Sequence, residues 1–110
     1  MTIYITQGRY TGEAMKSFLA KPEDRSAAAK AVIEAAGGKV HGFYFTFGEY
    51  DFLVISEAPS EKDMVAGLLA VAAGGAVTGL KTTVAMTGAD AKAAMEKAKG
   101  LTSSYRAPGA

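Results

Sequence analysis

The sequence predicts an α+β domain: a four-stranded antiparallel sheet with helices on one face, followed by a further helix at the C-terminus. Three observations carry this reading. Strand-like and helix-like segments follow the order strand, helix, strand, strand, helix, strand. A hairpin between Lys39 and Glu57 is apolar on both faces. The 110 residues, 49% of them hydrophobic, suffice for one core.

Thr2 to Gln7 is β-branched and aromatic with a period of two, which predicts the first strand, ended by Gly8. Thr11 suits a helix cap, and the helix through Glu13, Phe18 and Leu19 is interrupted at Pro22, which disfavours the helical conformation at Lys21. A second helical piece reaches Ala36, with Ala28, Val32 and Ala35 on one stripe, and Gly37-Gly38 ends it. Strands are predicted over Lys39 to Thr46 and Tyr50 to Glu57, with Gly48 permitting the turn. Ser60 caps a helix in which Met64, Val65, Leu68, Leu69 and Ala72 recur at helical spacing until Gly74-Gly75. Ala76 to Met86, rich in Val and Thr, predicts the fourth strand, and Ala89 to Lys99 a short Ala-rich helix closed by Gly100. Residues 1–100 are thus expected to form one domain and 101–110 a flexible tail.

This order is that of the ferredoxin-like βαββαβ arrangement, with spatial strand order 4-1-3-2 and both crossover helices on one face. Directly opposed residues of an antiparallel pair point the same way. Phe43, Phe45 and Phe47 therefore share a face with Tyr50, Phe52 and Val54, while Tyr44, Leu53 and Ile55 occupy the other. Helices on one side leave the second apolar face bare, and the expected partner is a second copy of the chain, giving a homodimer or higher homo-oligomer. The alternative is that the C-terminal helix folds across it.

Twelve basic and eleven acidic residues give a formal charge of +1, which supplies no field for nucleic acid or anionic lipid. The absence of cysteine excludes disulfides and thiolate chemistry. The first ten residues lack the basic start and apolar run of a signal peptide, so a cytoplasmic location is expected. No carboxylates cluster at a ligand-like spacing around the one histidine, so no metal site is expected, and no cofactor either.

Tyr4-Ile5-Thr6, Gly37-Gly38-Lys39, Gly42-Phe43-Tyr44, Gly48-Glu49-Tyr50-Asp51 and Glu57-Ala58-Pro59 together resemble the GYD domain family, small proteins of uncharacterised role, from Ile3 to about Met86. The literal triplet reads Glu-Tyr-Asp here, because Glu49 separates Gly48 from Tyr50. The resemblance implies a ferredoxin-like subunit and the dimeric α/β barrel in which two sheets pack face to face. It implies no reaction, since that barrel hosts enzymes and binding domains alike.

Two residues are weak catalytic candidates. His41 is the sole histidine, but in an uninterrupted hairpin ladder it lies opposite Ser56, about 17 Å from Asp51, which argues against a histidine–carboxylate couple within one subunit. Asp51 is disfavoured inside a strand and so needs a reason to be there. It is expected at the same end of the sheet as Arg9 and Thr11, either paired with Arg9 or bonded to amides at the helix start, or else facing a pocket with Tyr44, Tyr50 and Arg9 as ligand-binding residues.

The expected function is binding of a small apolar or aromatic molecule in a pocket lined by aromatic side chains, with turnover undecided. The competing reading is a structural or regulatory oligomerisation module whose aromatics fill a solid core. Gly42 to Phe47 also resembles the aromatic strand of RNA-recognition domains. It falls in the second strand instead of the third, however, with no Lys or Arg directly before Gly42.

Overall fold

A computed structural model describes residues 1–109 of the chain. Strand β1 (Thr2–Tyr10) leads into helices α1 (Gly12–Ala20) and α2 (Ser26–Ala35). The hairpin β2 (Lys39–Phe45) and β3 (Phe52–Ala58) follows, then α3 (Glu61–Ala73), β4 (Val77–Ala85), α4 (Gly88–Lys99) and a 3₁₀ turn at Thr102–Ser104. The sheet is antiparallel throughout with order β2-β3-β1-β4, the 4-1-3-2 arrangement read in reverse, and the fold is ferredoxin-like.

The helix starts are fixed by hydroxyl caps: Thr11, Ser60 and Thr87 each accept a hydrogen bond from a backbone N–H of the first turn. Pro22 divides the first crossover into α1 and α2 as the sequence predicts. Gly8, in contrast, does not end β1, which runs on to Tyr10. Its lack of a side chain serves packing: a Cβ there would lie 2.7 Å from Phe52 Cζ.

Alternation along β1 and β3 is strict. Tyr4, Thr6 and Tyr10 of β1 and Phe52, Val54, Ser56 and Ala58 of β3 are buried beneath the helices. Ile3, Ile5, Leu53 and Ile55 point to the opposite face and are only partly buried. Phe43 opposes Val54 and Phe45 opposes Phe52, the register predicted from the turn, whereas Phe47 lies beyond the ladder and is fully exposed.

The ladder does not remain in that register. Val40 pairs with Ser56 and Gly42 with Ile55, so His41 is an extra residue in β2, a bulge that an uninterrupted ladder cannot anticipate. The consequence corrects the expectation for His41: its Nε2 lies 3.5 Å from Glu57 Oε2, a histidine–carboxylate couple within one subunit.

α4 does not fold across the open sheet face. Of its residues only Ala91 is even partly buried, and the molecule measures 60 Å along its longest axis. Among the described residues no helix is long and apolar enough to cross a membrane.

Candidate functional site

The buried residues under the helices fall into two clusters. One joins Tyr10, Ala14, Phe52 and Val54; the other joins Tyr4, Ala58 and Met64. Between them, where α2 and α3 straddle the sheet, lies a cavity of about 360 Å³. Small side chains explain it. α2 presents Ala28 and Ala29, its C-cap Ala36, and α3 Gly67, and none of these can reach across the gap. Its floor includes Phe43, Phe52 and Val54, so its surface is mainly apolar. A second hollow, of about 420 Å³, lies under α1 beside Phe18 and Phe45 and shares Arg25 and Phe43 with the first.

Five polar or charged residues, Thr6, Tyr10, Arg25, Glu57 and Asp63, contribute to the lining. The Thr6 hydroxyl is already paired with that of Thr82 at 3.1 Å. Arg25 stands at the edge, 3.2 Å from Glu23. Tyr10 combines both characters: its ring packs edge-on against Phe18 at 4.9 Å, and its phenol adjoins the Arg25 guanidinium. Burial pushes that phenol above its ordinary value of 10.0; Arg25 opposes the rise, and the Asp51 and Glu23 carboxylates add to it. Tyr10 is therefore a neutral hydrogen-bonding group at neutral pH. On the same face the hydroxyls of Tyr4 and Ser56, directly opposed in the β1–β3 ladder, are buried with no hydrogen-bond partner.

The residues singled out in the sequence gather elsewhere, at the β2–β3 turn, with two exceptions. Asp51 accepts the backbone N–H of Tyr10 at 2.9 Å through Oδ2, while its own N–H donates to the Gly8 carbonyl at 2.8 Å and its carbonyl accepts from Thr46 N–H at 2.8 Å. Arg9 pairs with Glu49: its Nε donates to the Glu49 carbonyl at 2.8 Å, and its guanidinium lies 3.8 Å from the Glu49 carboxylate. The same guanidinium lies over the Tyr50 ring, 4.7 Å from the centroid. Gly79, at a φ of 63°, makes room for it, since a Cβ there would lie 2.7 Å from Arg9 Nη1. Thr11 joins the corner through its N–H to Ala76 and its hydroxyl to Gly75.

The exceptions are Tyr44, an exposed residue paired with Leu53 on the open face, and His41 at the far end of β2. Arg9, Tyr44, Tyr50 and Asp51 are absent from the cavity wall, which uses Tyr10, Arg25 and Gly67 instead. A glycine in the middle of α3 and the run of alanines in α2 are the sequence signals for that space, because they thin the layer between helix and sheet.

The crystal structure of FFRP-DM1 matches this fold with a TM-score of 0.50 and 21% identity, over 78% of this chain and 100% of that one. The hypothetical protein PHS023 from Pyrococcus horikoshii matches with a TM-score of 0.49 and 21% identity, over 79% and 92% of the two chains. TTHA0845 from Thermus thermophilus gives 0.49 and 18%, over 79% and 95%. No curated protein matches the chain. The family model of the GYD domain matches residues 4–95, which include β2, β3 and β4 entire and the greater part of β1 and of every α-helix. The chain belongs to the GYD domain family.

Proposed function

We propose that each subunit binds a small apolar or aromatic molecule in the cavity between α2, α3 and the sheet, with no role for nucleic acid. The observation that carries this reading is the cavity itself: about 360 Å³ of mainly apolar space with Tyr10 at its wall, within the size range of small-molecule sites. The space is a cleft half open to solvent between α2 and α3, and its apolar walls forgo dispersion contacts until a molecule fills it. Arg9, Tyr50 and Asp51 act on the site through Tyr10, whose N–H the Asp51 carboxylate holds while its ring forms part of the wall. The open face with Ile3, Ile5, Leu53, Ile55 and Tyr44 is assigned to pairing with a second copy, since among the described residues no helix covers it.

The test uses N-phenyl-1-naphthylamine, a neutral apolar dye whose emission rises in a dry pocket. The chain has no tryptophan to interfere. Saturable binding of one dye per chain at micromolar concentration is expected. Gly67→Phe, which projects a ring into the cavity, is expected to weaken it at least tenfold with the circular dichroism spectrum unchanged. Unsaturable binding, or binding indifferent to Gly67→Phe, sinks the reading.

A further inference from the structure

We infer that α4 is an arm that docks along the outer face of α3 on a second copy of this chain, the two copies exchanging arms reciprocally. The inference concerns the outside of α3 and is independent of what the cavity holds.

The first observation is surface. A compact monomer of 11.3 kDa exposes about 5,700 Å². This chain exposes 7647 Å², an excess of about 1,900 Å² over that scaling. A stable interface takes about 800 Å² from each partner, and permanent homodimers take more. The radius of gyration agrees: 17.9 Å, against about 13 Å for a compact domain of this length. The excess is what a permanent dimer removes from solvent.

The second observation is that two helices lack a partner on one side. α3 is apolar nearly all round: from Val65 to Ala73 it carries no charged or hydrogen-bonding side chain. Met64 and Leu68 face the core, while Val65 and Leu69 stand 51% and 65% exposed, with Ala66, Ala70 and Ala73 beside them. A helix that is apolar on every side belongs in an interior. α4 is the converse, a capped helix of twelve residues standing clear of the body, and isolated helices of about that length are marginal in water. Ala91, Met95 and Ala98 fall on one stripe of it, at spacings of three and four residues, with Leu101 following just beyond the Gly100 cap.

The two stripes match in length and charge. α4 and α3 have twelve and thirteen residues, about 18 and 20 Å. Laid antiparallel with Met95 against Leu69, they bring Ala98 against Ala66 and Ala91 against Ala73, small residues that let the axes approach. The same arrangement places Lys99, in the last turn of α4, about one turn from Glu61 in the first turn of α3. Only two residues, Met86 and Thr87, join β4 to α4, and α4 stands clear of its own subunit. A second copy supplies the missing α3. A two-fold axis satisfies both arms at once and leaves no open end.

Because the chain has no cysteine, disulfide trapping reads this contact directly. Leu69→Cys and Met95→Cys chains, distinguished by a mass tag on one, are mixed and oxidised. A heterodisulfide is expected within minutes, at least tenfold faster than for the control pair of Met95→Cys with Glu13→Cys on α1. Light scattering of the unmodified chain is expected to give twice the mass of one chain, and Met95→Lys, which removes the arm contact and leaves the open sheet face intact, to raise the dissociation constant of that dimer at least tenfold. Trapping no faster than the control overturns the inference. So does a chain carrying both cysteines that closes on itself as a monomer.

Discussion

The Asp51 corner and the helix-face cavity adjoin at Tyr10 and are built in opposite ways. At the corner polar groups are tied to one another: Asp51 uses its N–H, its carbonyl and its carboxylate, and Arg9 is held by Glu49 and Tyr50. In the cavity, Gly67 and the alanines of α2 leave space that neighbouring side chains do not fill. Directional bonds fix a turn at one geometry, so a ligand has to displace existing partners to enter there. An apolar hollow has no such partners to displace. The contrast teaches that the residues most conspicuous in the sequence make the frame, while the least conspicuous make the space.

Asp51→Asn breaks the comparison hardest. The hydrogen bond from Tyr10 N–H to a charged oxygen becomes one to a neutral amide, which costs about 1–2 kcal/mol. For a chain of this size that lowers the melting temperature by about 5–10 °C. Dye affinity in the cavity is expected to change less than threefold. An unchanged melting temperature with lost binding reverses the roles and makes Asp51 part of a site.

Gly67→Ala acts on the cavity side with a smaller effect of opposite sign. A Cβ at Gly67 has no neighbour within 4 Å, and replacing glycine by alanine inside a helix favours folding by up to about 1 kcal/mol. Urea unfolding is expected to show a higher midpoint with the same slope. A lower midpoint means that the space beside α3 is closed in solution.

Most of the frame was legible in the sequence. Gly48 set the turn, the turn set the pairing of Phe45 with Phe52 and Phe43 with Val54, and Pro22 announced the break between α1 and α2. The His41 bulge was not legible, because an extra residue leaves no mark on a strand that is apolar on both sides. Gly8 misled for a related reason: a glycine that ends a strand and one that admits a ring are the same letter, and only the position of Phe52 decides between them. The cavity was hidden more deeply. Apolar periodicity tells which side of a helix faces inward, but not how far that helix stands from the sheet. That distance depends on the summed volumes of Ala28, Val32, Gly67 and Leu68 against Val54 and Phe52.

Tyr10 offers the finest test, since its backbone belongs to the corner and its ring to the cavity. Burial raises its phenol above the ordinary 10.0, so the folded state holds that proton more tightly than the unfolded chain does. The stability contributed by the neutral phenol is fully present below about pH 10 and is lost as the pH rises through the folded-state value. Melting temperatures of the wild type are therefore expected to fall more steeply above pH 10 than those of Tyr10→Phe, which keeps the ring and the N–H bonded to Asp51 but has no proton to lose. The other tyrosines are common to both chains, so the difference between the two profiles isolates this residue. Below pH 9 the profiles should run parallel, and a dye that contacts the ring in the cavity should widen their separation at alkaline pH, because it deepens the burial of the phenol. Parallel profiles through pH 11 would mean that the hydroxyl is solvated, and the wall between corner and cavity would then be open to water.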